Sequence, residues 1–188
     1  MRIYLSSDRN DEFFITAVKN AVDKVNASLQ MDIELVFPPT RLGVDTGKVL
    51  GNVLHILDAQ IALINVTPRT RRCLIEDEKE DLNQAEGMKT EVVEMYNSGV
   101  MIEYGMATAL EYLQKEEGAS VQTKRAFCDI SFSRKSLCPV VNEDDVLEFD
   151  SQSADGRTKL EGVLDDIIRS KVKDMLRMKP VHSKYKFQ

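Results

Sequence analysis

Glu103 is the residue whose setting points most directly to chemistry. It follows a polar turn, Asn97-Ser98-Gly99, and leads into Tyr104-Gly105-Met106-Ala107-Thr108-Ala109-Leu110. The spacing predicts a helix on which Glu103 shares a face with Met106, Ala107 and Leu110. A face of that kind packs on a sheet, so the carboxylate should point inward from the helix's first turn. Burying a carboxylate is costly, and groups held that way are often acids, bases or nucleophiles. The plainer reading is a first-turn glutamate that caps the helix or complements its dipole. The turn itself suits a ligand: backbone N–H groups at a helix start bind phosphates or hydroxyls. Gly99, with no Cβ, permits close approach.

The elements that must position this helix can be read in order. Ile3 to Leu5 is a first strand, ended by Ser6-Ser7-Asp8. A helix from about Asp11 to Leu29, capped by Asn10 or Asp11, carries Phe14, Ala17, Val18, Ala21, Val22, Val25 and Leu29 on one stripe. Ile33 to Phe37 is a second strand, stopped by Pro38-Pro39. A second helix, about Gly47 to Leu57, turns Leu50, Val53, Leu54 and Leu57 inward, with His55 as a partly buried structural histidine. Ile61 to Val66 is a continuous apolar run of the kind buried on both faces of a parallel sheet.

Thr67 to Met95 interrupts the alternation and is long enough to hold a helix of its own. Its Arg69, Arg71 and Arg72 precede an acidic run from Glu76 to Asp81. This segment reads as a solvated excursion, or as a lid whose arginines reach a phosphate. Lys124 to Phe132 is a fourth strand, and Leu137 to Val141 and Val146 to Phe149 offer one or two more. A last helix, about Thr158 to Met178, turns Leu160, Val163, Leu164, Ile167, Ile168, Val172, Met175 and Leu176 inward before Pro180 stops it.

This order predicts one α/β domain over residues 1–178, with an insertion at about 67–96 and a tail at 179–188. The expected architecture is a three-layer sandwich around a mostly parallel central sheet of about five strands, of the Rossmann or flavodoxin type. Ligands bind such sheets beyond the carboxyl ends of the strands. Residues 6–10, 38–46, 67 onward and the turn before Glu103 should therefore rim one crevice.

Composition narrows the function. The chain has 188 residues, 43% apolar and 30% charged, enough for a single packed core. Its net charge of -6 argues against a general nucleic-acid binder, which needs a basic face. Cys73, Cys128 and Cys138 are odd in number and form no Cys-x-x-Cys pair, so they read as reduced thiols of a cytoplasmic protein. His55 and His182 lie far apart in the chain, and no metal site or cofactor is expected. No signal peptide or membrane-spanning run is expected either.

Two stretches carry a resemblance to a known family. They are Asp58-Ala59-Gln60-Ile61-Ala62-Leu63-Ile64-Asn65-Val66 and Asn97-Ser98-Gly99-Val100-Met101-Ile102-Glu103-Tyr104-Gly105-Met106-Ala107. With the opening Ile3-Tyr4-Leu5, they resemble the nucleoside 2-deoxyribosyltransferases and the related nucleoside 5'-monophosphate N-glycosidases over roughly residues 1–113. The resemblance implies that Glu103 is the nucleophile at the sugar's anomeric carbon and that Tyr4 orients it. It places Ser98 and Gly99 on the sugar or its 5' substituent, and Asp58 at the acidic position that starts the third strand. Asn97 occupies a position where many of these transferases have aspartate, and asparagine donates no proton as an acid does. A second departure is Leu50, where the family often has an aspartate in the second helix. The general acid is thus unassigned, with Asp45, Asp8 and the 67–95 insertion as candidates.

Each residue also has a structural reading. Tyr4 suits a core strand, Asp58 and Asp8 suit helix caps, and Asn97 and Ser98 are common turn residues. The resemblance implies cleavage of an N-glycosidic bond in a nucleoside or nucleotide, with the sugar passed to a base or to water. A TIR-like hydrolase acting on NAD and a nucleotide-sensing module without turnover are the alternatives. Relatives of this type build sites from two subunits, which implies a homodimer or larger assembly, with residues 179–188 one candidate for reaching a neighbour.

Overall fold

A computed structural model describes residues 1–8, 11–38, 53–76, 88–116, 122–131 and 141–177, with the backbone alone for 69–76 and 88–94. In chain order the elements are β1 (Arg2–Ser6), α1 (Glu12–Leu29), β2 (Glu34–Val36), α2 (53–58), β3 (Ile61–Asn65), β4 (Arg69–Glu76), β5 (Met88–Met95), α3 (Ser98–Glu116), β6 (Thr123–Asp129), β7 (Val146–Phe149) and α4 (Gly156–Arg177). Five of the strands form one sheet in the order β2-β1-β3-β6-β7, and every neighbouring pair is parallel. The chain is a doubly wound α/β sandwich of the Rossmann or flavodoxin type. Its strand order reverses between β1 and β3, and that reversal leaves a crevice at their carboxyl ends.

Side-chain alternation along β1 assigns the two faces of the sheet. Ile3 and Leu5 face a core shared with α1 and α4, where Phe14, Val18, Val22, Phe127, Leu164 and Ile168 are buried. Tyr4 faces the opposite core, with Ile56, Ala62, Ile64, Val100, Tyr104 and Ala107. Helix α1 starts where Asp11 Oδ1 accepts from the Phe14 N–H at 3.0 Å, and it ends on Gln30 in the left-handed region at φ 51°. The αL conformation at Gln30 terminates the helix, and the Gln30–Asp32 segment turns the chain toward β2.

Several expectations are corrected by the fold. The insertion holds a two-stranded antiparallel hairpin, β4 with β5, where a helix was predicted. Its Thr90, Val92 and Val93 are β-branched and suit a pleated pair better than a helix. On the described part of α2 the buried residue is Ile56, while Leu54, Leu57 and His55 are exposed. On α4, Leu160, Leu164, Ile168 and Val172 are buried, whereas Val163 and Leu176 are exposed. The actual stripe is narrower than predicted and runs at spacings of four. Leu50, residues 179–188, Cys138 and His182 lie outside the described residues. Cys128 is buried. Among the described residues no helix is long and apolar enough to cross a membrane, and no group of three or more His, Cys, Asp or Glu is placed to hold a metal.

Candidate active site

Helix α3 begins one turn earlier than the sequence suggested, and this changes the setting of Glu103. Asn97 Oδ1 accepts from the Gly99 N–H at 3.0 Å and from the Val100 N–H at 3.4 Å, so Asn97 is the N-cap. Glu103 is then the sixth helical residue and not in the first turn, which carries no acid. Neither capping nor the helix dipole accounts for it. Its side chain is 3% exposed and turned to the sheet with Ala107, as the spacing predicted. Gly105 falls on the outer face, with no heavy atom within 4 Å of where a Cβ would stand.

A buried lysine fixes how α3 lies on the strands. Lys124 of β6 donates to Thr108 Oγ1 at 3.0 Å and stands 4.5 Å from the centre of the Tyr104 ring. The carboxylates of Glu111 and Asp145 lie 3.8 Å from its Nζ, and the Asn142 N–H donates to the Tyr104 hydroxyl at 3.3 Å. A buried cation satisfied from α3 and from the turn before β7 sets one pose for the helix. That pose aims Glu103 at β1.

Tyr4 and Ser6, two residues apart on one face of β1, present their hydroxyls to the Glu103 carboxyl. Burial raises the Glu103 pKa above its usual 4.5, opposed by the Ser6 hydroxyl and then the Tyr4 hydroxyl. Burial and the neighbouring carboxylate drive the Tyr4 phenol far above its usual range, so it stays protonated as a donor. Both hydroxyls are fully buried, and neither reaches the geometry of a formed hydrogen bond. Buried donors left short of a partner are uncommon and costly. Here the two flank one desolvated carboxylate.

The sheet's carboxyl edge continues this polar floor. Asn97 Nδ2 donates to Asp8 Oδ2 at 3.2 Å, joining the α3 turn to the end of β1. Asn65 Nδ2 donates to Asp11, and Asn65 Oδ1 accepts from the Thr67 N–H at 3.1 Å. Thr67 Oγ1 accepts from the Asp129 N–H at 2.8 Å. Asp129 Oδ1 accepts from the Ser131 N–H, the Ser131 hydroxyl and the Ser151 N–H at 3.0, 2.7 and 3.2 Å. The loops leaving β1, β3, β6 and β7 are thereby pinned side by side.

The structure gathers Glu103, Tyr4, Asn97, Gly99, Ser98 and Asp8 around one turn at the β1 end. Gly99 is half-buried there and Ser98 is exposed on the rim. Asp58 is corrected. It precedes β3, 65% exposed and paired with Arg2 at 3.3 Å, at the amino edge of the sheet. Arg2 to Ser6 is a strand's length, roughly 13 Å at the usual rise, so Asp58 does not reach this site. Asp45 lies outside the described residues. Sequence reasoning missed Ser6, which it took only as a strand end; the period of two from Tyr4 was the signal. It also missed Asn65, Thr67 and Asp129, whose roles depend on loops meeting in space. A cavity of about 360 Å³ lies on the other face of the sheet, lined by Phe127, Leu147, Phe149, Lys159, Leu160 and Val163, and is separate from Glu103.

The class defined by fold and site is a doubly wound α/β protein with a buried glutamate and two buried hydroxyls at its switch point. Comparison with models of known protein families finds no match for the chain, and comparison with curated proteins finds none either.

Two outcomes test this geometry. Asn97→Ala should lower stability by about 1 kcal/mol through loss of the cap, read as a fall in midpoint in urea unfolding. Tyr4→Phe should leave stability within about 1 kcal/mol, since the lost hydroxyl makes no formed bond. It should move the acidic limb of any activity profile to higher pH. The tyrosine hydroxyl lowers the Glu103 pKa, so removing it raises that pKa.

Proposed function

We propose that this protein cleaves the N-glycosidic bond of a nucleoside or nucleotide, with Glu103 as nucleophile. The observation that carries the reading is the inward, desolvated Glu103 carboxylate flanked by the Tyr4 and Ser6 hydroxyls at the switch point. A desolvated carboxylate is more basic and a better nucleophile than one in water. Glu103 forms a bond to the anomeric carbon as the carbon–nitrogen bond breaks. The bond's electron pair leaves with the base, which takes up a proton from an acid or from solvent. An acceptor base, or water, then attacks the same carbon and frees the carboxylate. The partial positive charge on the sugar ring is stabilised by Glu103 throughout.

The Tyr4 hydroxyl, held protonated, faces the carboxylate and opposes the rise of its pKa. The α3 turn, with Asn97, Ser98 and Gly99, holds the end of the sugar away from the base. We place the protein in the cytoplasm, on the reduced-thiol reading of its cysteines, and as a homo-oligomer. Exposed Ile102, Tyr112 and Leu113 on α3 supply an apolar surface suited to a second copy. The test is incubation of the purified chain with nucleosides, their 5'-monophosphates and NAD, followed by chromatography for free base. Release of nicotinamide alone would favour the NAD hydrolase reading. A ligand that raises the melting temperature yet is recovered intact would favour a sensing module.

A further inference from the structure

We infer that Ser6, the last residue of β1, is a positioning residue for the reaction: its buried hydroxyl keeps the Glu103 carboxyl ready to attack, at a cost in stability that packing does not explain. The inference rests on the glycosidic reading above and adds a residue to it. Ser6 lies level with Ile64 of β3 and is fully buried. The period of two puts it on the Tyr4 face of the strand, against a largely apolar core of Ile56, Ala62, Ile64, Val100 and Ala107. An alanine would fill that position without penalty. A buried hydroxyl short of a formed hydrogen bond is costly, and the Ser6 hydroxyl is in that state. It caps no described helix and takes no part in the polar floor that joins Asn65, Thr67 and Asp129.

What Ser6 faces is Glu103. Burial raises the pKa of that carboxyl, and the Ser6 hydroxyl, then the Tyr4 hydroxyl, oppose the rise. The other elements packed on this face bring apolar groups: Ala62 and Ile64 from β3, and Ile56 from α2. Lys124 of β6 is held further along α3 by Thr108, Glu111 and Asp145, and Asp8 is engaged by Asn97 at the turn. The two hydroxyls differ in what else they do. The Tyr4 ring is part of the core, so its side chain has a packing reason to be there. Serine adds no bulk of that kind, and the hydroxyl is its whole difference from alanine. A hydroxyl facing a carboxyl favours the charged form, whereas burial favours the neutral acid, whose oxygens are poor nucleophiles. Ser6 thus acts on the reaction through Glu103 and touches no reacting atom.

The experiment titrates Glu103 in the full chain by carbon-13 NMR of its side-chain carboxyl, identified as the resonance lost in Glu103→Gln. Ser6→Ala should move the midpoint to higher pH, and further than Tyr4→Phe does. Urea unfolding of the same proteins across pH is the second readout. At the acid end, with Glu103 protonated, Ser6→Ala should match or exceed the wild type in stability, because a costly hydroxyl is gone. As Glu103 ionises, the variant should lose ground to the wild type. Ser6→Thr, which keeps the hydroxyl, should restore the wild-type midpoint; if its added methyl prevents folding, the Ser6→Ala comparison decides. On any nucleoside the protein cleaves, kcat/KM of Ser6→Ala should fall roughly tenfold on the acidic limb and stay within about threefold on the plateau. An unmoved Glu103 titration overturns the inference and leaves the glycosidic reading standing. So does a stability loss of equal size at every pH, which marks a packing role. A midpoint that moves while the activity profile stays in place removes Glu103 as nucleophile, and the inference goes with it. Release of no free base from any nucleoside, nucleotide or NAD has the same consequence.

Discussion

Glu103→Gln is expected to lower turnover of any nucleoside the protein cleaves by roughly a thousandfold or more, because it removes the attacking oxygen while keeping the shape of the side chain. The fold should survive, and the pH dependence of stability separates this variant from a merely damaged one. Burial raises the Glu103 pKa above 4.5, so above that pH the folded state holds a proton that the unfolded state releases. Wild-type stability therefore falls as pH rises from 4.5 through the folded pKa. Glutamine has no proton to lose. The melting temperature of Glu103→Gln should gain on the wild type across that window and hold its gain above it. Full activity in the variant, or parallel melting curves at every pH, would refute the placement of the carboxylate.

The largest loss of stability is expected at Phe14. This side chain is fully buried at the start of α1, 5.2 Å from the Phe127 ring and 5.7 Å from the Phe149 ring. Phe14→Ala should cost about 3–5 kcal/mol, from lost burial and the cavity left behind. For a chain of this size that is a fall of roughly 6 to 20 °C in the melting midpoint. The effect should reach the site as well. Asp11, which caps the same turn of α1, also accepts from Asn65 at the end of β3. Loosening that turn slackens the floor beneath the ligand, and calorimetry of a bound nucleoside would show weaker affinity beyond the change in stability.

Much of the scaffold was readable in one dimension because its signals are local. The α1 stripe, the apolar β3 run and the alternation of strand and helix are periodic patterns, and they led to the parallel sheet directly. The inward face of Glu103 was readable for the same reason. The hairpin was not: β4 and β5 are consecutive strands, paired from Glu76 with Met88 to Arg69 with Met95, and the charges scattered through both leave no clean period of two. The start of α3 was displaced because one side chain, Asn97, both closes the turn and reaches Asp8, 89 residues earlier in the chain.

By itself, then, the sequence determined the strands and helices on either side of the insertion, that the central sheet is mostly parallel, and that one acid on α3 faces it. These follow from hydrophobic periods of two and of 3.6, which each segment carries alone. Tertiary structure decided which polar groups share the crevice. It joined Ser6, Asp8 and Asn97 to Glu103, sent Asp58 to the far edge, and tied Asn65, Thr67 and Asp129 into one floor. The physical reason is the order β2-β1-β3-β6-β7. Reversing direction between β1 and β3 brings chain ends from separate segments to one rim, and hydrogen bonds between those ends exist only once the strands have paired.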